Sequence, residues 1–160
     1  MPLVSIDIAK YRIGAKAAAA FCLSLCLLCH PASATDQLDI STGLKTWLLV
    51  NERPEGKIKA VVLYDAGNPS SKADAQAIKN DIDAGQGVPS GMSLTASLLD
   101  STETTKLAGH RIAFLAEGMS TNAQQTVSKT ATKAGILTVS TDLNCVKQGY
   151  CIIGIVSKPH

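Results

Sequence analysis

Asp65-Ala66-Gly67-Asn68-Pro69-Ser70-Ser71 gathers a carboxylate, a carboxamide and two hydroxyls around a Gly turn. An apolar run precedes it and an amphipathic run follows, so the cluster belongs between a strand end and a helix start. Free N–H groups and the positive end of a helix dipole could hold an anion or a polar ligand there. The plainer reading is that Asn68 and Ser71 build the turn and cap the helix. No phosphate-loop motif is present. A second polar group, Ser140-Thr141-Asp142, ends another apolar run. A catalytic Ser140 would need His110 as base and Asp142 to orient the imidazole. No Gly-x-Ser-x-Gly elbow surrounds Ser140, and His110 opens its strand where Ser140 closes one, so the two belong at opposite sheet edges. Nucleophilic catalysis is not expected. The candidate ligand-binding set is therefore Asp65, Asn68, Ser70, Ser71, Ser140 and Asp142, with no catalytic residue, cofactor or metal. Asp81 and Asp83 point to different faces of their helix and read as solvated.

Cys145 and Cys151 are the cysteines of residues 35–160. The intervening stretch Val146-Lys147-Gln148-Gly149-Tyr150 fits a hairpin that brings the two Cα atoms within bridging range. A redox pair would more often be spaced Cys-x-x-Cys. A metal site would need two further ligands, and His110 and His160 are the histidines beyond residue 34. A structural disulfide is expected.

The compartment is set by residues 1–34. Lys10, Arg12 and Lys16 precede a 13-residue apolar run, 17–29, and Ala32-Ser33-Ala34 follows His30-Pro31. A basic region, a short apolar region and a small-x-small site form a secretory signal peptide, cleaved near Ala34. Thirteen helical residues reach only ~20 Å against a hydrocarbon core of ~30 Å. Cys22, Cys26 and Cys29 each follow Phe or Leu, where a lipid-attachment site needs a small residue. Two segments are expected: the leader, 1–34, and a single domain, 35–160. Lys10, Arg12, Lys16 and Asp7 carry the whole formal excess of +2, so the domain is neutral. That excludes the basic footprint of a nucleic-acid binder.

The elements that must position the candidate residues follow from periodicity. Ile40, Leu44, Trp47 and Leu48 form the stripe of a helix over 39–51. Leu44, Trp47 and Leu48 are the candidate partner surface. A loop over 52–57 leads to a buried strand, 58–65. Ser71 and Asp74 approximate a capping box for a helix carrying Ala75, Ile78 and Ile82. Residues 92–98 alternate as a second strand. A short helix ends near Gly109, and 111–116 is a third strand. Met119-Ser120 starts a helix with Ala123, Val127, Ala131 and Ala134 on one side. Residues 136–140 are a fourth strand, 141–144 a loop, and 150–156 a fifth strand arriving from the cysteine hairpin. This alternation predicts an α/β fold: a three-layer α/β/α sandwich with a mostly parallel sheet, Rossmann-like and like a periplasmic-binding lobe, plus a C-terminal disulfide hairpin. Ligands in such sheets bind at the strand C-terminal ends.

Ser70-Ser71-Lys72-Ala73-Asp74 and Gly135-Ile136-Leu137-Thr138-Val139-Ser140-Thr141-Asp142 resemble small periplasmic proteins of the YfiR-like type. The similarity runs from about Leu38 to Pro159. The chain is also similar to a half-domain of periplasmic ABC-transporter substrate-binding proteins. The first resemblance implies a non-enzymatic periplasmic regulator that contacts a membrane-bound signalling enzyme, for example a diguanylate cyclase, or forms a homodimer. The second implies a solute-binding component of an uptake system, with a small-molecule ligand. YfiR-like proteins continue past the position of Lys158-Pro159-His160 with another strand and a helix, so on this resemblance the copy is C-terminally truncated.

Overall fold

The computed structural model describes residues 35–50 and 57–156. The expected leader and the loop over 52–57 except Lys57 lie outside the described residues. Helix α1 (Gln37–Val50) leads into β1 (Lys57–Tyr64) and α2 (Pro69–Asp83). Strand β2 (Ser93–Asp100) and a 3-10 turn (Thr104–Leu107) precede β3 (Ile112–Leu115), α3 (Thr121–Lys133) and β4 (Leu137–Ser140). A short α4 (Leu143–Lys147) and a two-residue β5 (Ile153–Gly154) complete the series.

The sheet has the order β2-β1-β3-β4-β5, and every pairing is parallel. Alternate residues of β1 supply its two faces, because successive strand side chains point in opposite directions. Ile58, Ala60 and Val62 face Ile40, Leu44 and Trp47 of α1 and Ala75, Ile78 and Ile82 of α2. Val61 and Leu63 face Leu107, Val127 and Ala131, together with Cys145 and Cys151. The three-layer α/β/α sandwich is thus present, with one core on each side of the sheet. Leu44 and Trp47 are 0% and 2% exposed and belong to the core, and Leu48, the third residue of the expected partner surface, is half-buried against it. A helix laid across a sheet buries its widest apolar stripe there. What α1 leaves exposed are Leu38 and Leu49, at 61% and 86%.

The C-terminal hairpin is corrected. The disulfide Cys145–Cys151 is present, with Cα atoms 5.2 Å apart. Cys145, however, sits on α4, and β5 runs parallel to β4 with Val139 opposite Ile153 and Ser140 opposite Gly154. A hairpin would have made the pair antiparallel. The helix and the turn after it carry the chain back below the end of β4, so that β5 starts again in the same direction. Asp142 begins α4 by accepting from Asn144 N–H at 2.9 Å.

Candidate functional site

Strand order reverses at β1: the chain goes from β1 to β2 on one side, then returns to β3, β4 and β5 on the other. A crevice forms at such a switch point, between the loops that leave β1 and β3. Here these are residues 65–68 and 116–120. Their sequences explain their shape. Asn68 is the N-cap of α2, its Oδ1 accepting from Ser70 N–H, and Pro69 occupies the first turn, where a missing N–H costs nothing. Ser120 caps α3 by accepting from Ala123 N–H. The expected capping box of Ser71 and Asp74 is therefore displaced three residues upstream, to Asn68.

The two loops are fastened to each other. Asn68 Nδ2 donates to the Gly118 carbonyl at 2.8 Å, and Ser120 N–H donates to Asp65 Oδ2 at 3.3 Å. Gly118 has φ +75°, and a Cβ there would lie 2.8 Å from Asn68 Nδ2, so only glycine fits both the turn and the contact. Asp65 Oδ1 also accepts from Gly67 N–H at 3.0 Å. The Ser120 hydroxyl, followed by the Gly67 and Ser120 N–H groups, holds the Asp65 carboxyl below its ordinary value.

The six candidate residues thus share one sheet edge but divide by exposure. Ser70 is exposed, and Asp65, Asn68 and Asp142 are half-buried. Ser71 and Ser140 are buried and are spent on the backbone. Ser71 Oγ accepts from Asp65 N–H, while Ser140 Oγ donates to the Leu115 carbonyl and accepts from Asp142 N–H. Asp142 accepts from Gln124 Nε2 at 2.7 Å. His110 pairs not with Ser140 but with Ser97, Nε2 lying 3.1 Å from Oγ, while its Nδ1 lies 3.0 Å from the Leu107 carbonyl.

A second polar network was not legible in the sequence. Asp74 Oδ1 accepts from Thr35 N–H at 2.8 Å, and Oδ2 accepts from the Thr35 hydroxyl at 3.2 Å and Glu117 N–H at 2.8 Å. The Thr35 and Thr141 hydroxyls are 3.2 Å apart, and Thr141 Oγ1 is 3.1 Å from Glu117 Oε1. Three oxygen-to-oxygen contacts run from Asp74 to Glu117, but the two hydroxyls supply only two protons. Thr35 donates to Asp74 and Thr141 donates to Glu117, which leaves the Thr35–Thr141 contact without a proton of its own while both carboxylates are ionised. Burial raises the Glu117 carboxyl, opposed by the Thr141 hydrogen bond and reinforced by the charges of Asp74, Asp142 and Asp39. Burial likewise raises Asp74, against the lowering effect of its three donors. The one sequence clue was that Asp74 and Glu117 each follow a predicted boundary, but nothing local pairs residues 43 positions apart.

A shallow depression of about 740 Å³ lies at the start of α1, lined by Thr35, Asp36, Leu38, Asp81 and Gly87 among others. It shares Thr35 with the network. No group of three or more His, Cys, Asp or Glu side chains among the described residues is arranged to hold a metal ion. Fold and site together define a parallel α/β domain whose two switch-point loops are hydrogen-bonded to each other. No protein-family model, curated protein or solved structure matches the chain.

Proposed function

We propose that this chain is an exported, non-enzymatic regulatory protein that docks on the periplasmic part of a membrane-bound signalling protein, or on a second copy of itself. The observation that carries this reading is the fastening of the switch-point loops by Asn68 to Gly118 and Asp65 to Ser120. A crevice closed by its own hydrogen bonds offers a preformed polar surface, and preorganised surfaces suit docking because little ordering entropy is lost. The disulfide supports export, since such bonds persist in oxidising compartments. The resemblance of residues 135–142 to YfiR-like proteins supports a regulatory role, with a diguanylate cyclase as an example of the partner.

The alternative is a solute-binding component of an ABC-type uptake system. The half-buried Asp65 and Asn68 and the exposed Ser70 at the start of α2 favour it, because a small polar ligand could meet them there. One experiment separates the readings. The exported protein is crosslinked in the periplasm, and an Asn68→Ala variant is treated in parallel. Recovery of an inner-membrane signalling enzyme that weakens with the variant supports regulation. Recovery of the chain alone as a dimer supports self-association. Recovery of neither, with saturable binding of a small solute, moves the assignment to uptake.

A further inference from the structure

Thr35 is buried, and its backbone nitrogen and hydroxyl both address the Asp74 carboxylate. Asp74 meets neutral donors there, while acidic groups crowd it: Asp39 from α1, Glu117 from the loop after β3, and Asp142 beyond Glu117. Neither ion pair found among the described residues, Lys79 with Asp83 or Lys106 with Glu103, involves Asp74 or Glu117. Buried negative charge facing neutral donors is costly, and a cation seated at its centre would offset that cost. The position of such a cation is already marked by the Thr35 nitrogen, 2.8 Å from Asp74 Oδ1. The sequence immediately before it is Ala32-Ser33-Ala34, a small-x-small processing site.

We propose that Thr35 is the N-terminus of the mature protein and that its α-ammonium forms a buried ion pair with Asp74, so that leader removal completes the charge pairing of the domain. The inference rests on the exported reading above. The covalent step is a hydrolysis by a signal peptidase. Water adds its hydroxyl to the Ala34 carbonyl carbon, the carbon–nitrogen bond to Thr35 breaks, and the leaving nitrogen takes up two protons, one from that water and one from the Ala34 carboxylic acid as it ionises. No atom of the domain has to move; an amide donor becomes a charged one in place, and charge-assisted bonds are about twice as strong as neutral ones. Two independent lines meet at one peptide bond: the leader pattern and the tertiary position of Asp74. The unprocessed chain lacks the pair, which keeps the domain less stable until it has been exported.

The test uses the full chain, expressed with its own leader and purified after export. Intact mass gives the first residue, and the pH dependence of acylation by a small amine reagent gives the α-amine pKa. An exposed α-amine titrates near about 7.7–8.0. The inference expects Thr35 first, an amine titrating at least about one unit higher, and acylation about tenfold slower than in Asp74→Asn. Asp74 also holds Glu117 N–H, so a second variant inserts one glycine between Ala34 and Thr35 and leaves Asp74 intact. Its melting temperature is expected to fall by about 5 °C. A chain that begins at Thr35 but has an ordinary, freely acylated amine overturns the inference and leaves export standing, as does cleavage at another bond. A chain recovered with residues 1–34 attached overturns both.

Discussion

Asn68 carries two duties with one side chain. Its Oδ1 caps α2 through Ser70 N–H, and its Nδ2 holds the Gly118 carbonyl. Losing an N-cap alone costs about 1 kcal/mol, and the interloop bond adds about as much. Asn68→Ala is therefore expected to lose about 1–2 kcal/mol in urea denaturation and to loosen the loop after β3, read as faster amide exchange over residues 117–120. At the neighbouring network the sign of the pH effect is fixed. Asp74 and Glu117 have raised values in the folded chain, so the folded state holds their protons more tightly than the unfolded state does. Stability is then greatest below the unfolded values of about 4 and falls as pH rises through the raised ones. This holds while the Thr35 nitrogen is an amide. In a chain of that kind, Glu117→Gln should lose less stability between pH 4 and pH 7 than its parent, because a neutral carboxamide can donate to Thr141 at every pH. A parallel loss in the two proteins, measured by denaturant midpoint, would discard the role given to Glu117.

Helices and strands respond to closeness as much as to propensity. Gly43 lies in the middle of α1, where alanine would ordinarily favour the helix by up to ~1 kcal/mol. A Cβ there would stand 2.8 Å from Val139 Cγ1 on β4, inside the core. Val139 is buried and stiff at its branched carbon, so it cannot yield cheaply. Gly43→Ala is expected to destabilise by about 1–3 kcal/mol through overpacking. A gain in the thermal midpoint would mean that α1 can lift from the sheet at little cost. Helix α1 starts earlier than its apolar stripe implies, because Asp36 and Asp39 cap it reciprocally: Asp39 N–H donates to Asp36 Oδ1, and Asp36 N–H to Asp39 Oδ2. Helix α4 escaped the sequence reading altogether, since five residues carry too little periodicity to stand out from a loop.

The domain as a whole is two cores joined by a sheet, with the disulfide closing the end of one of them. Cys145 and Cys151 are six positions apart in sequence and both are buried against the α3 side. Closing so short a loop stabilises by about 2 kcal/mol in the chain-entropy model. Cys145→Ser with Cys151→Ser is expected to lower stability by about that amount while leaving the sheet order unchanged, which far-ultraviolet circular dichroism and denaturant titration would check. Alkylation without reductant should add nothing to the mass of the native protein.

The sequence by itself determined the alternation of elements, and with it the α/β class and the parallel sheet. The apolar runs of β1, β3 and β4 and the stripes of α1, α2 and α3 are local patterns of period two and 3.6, and burial enforces them. It also determined the cysteine pairing, because few partners were available. Tertiary structure alone decided how these pieces use their polar atoms. It put Trp47 in the core, spent Ser71 and Ser140 on backbone groups, and turned the expected hairpin into a helix with a parallel strand. It also joined Thr35, Asp74, Glu117 and Thr141, which come from four separate stretches of chain. Periodicity reports which side of an element is buried. Which donor meets which acceptor depends on where distant loops converge, and that is fixed only when the sheet order is.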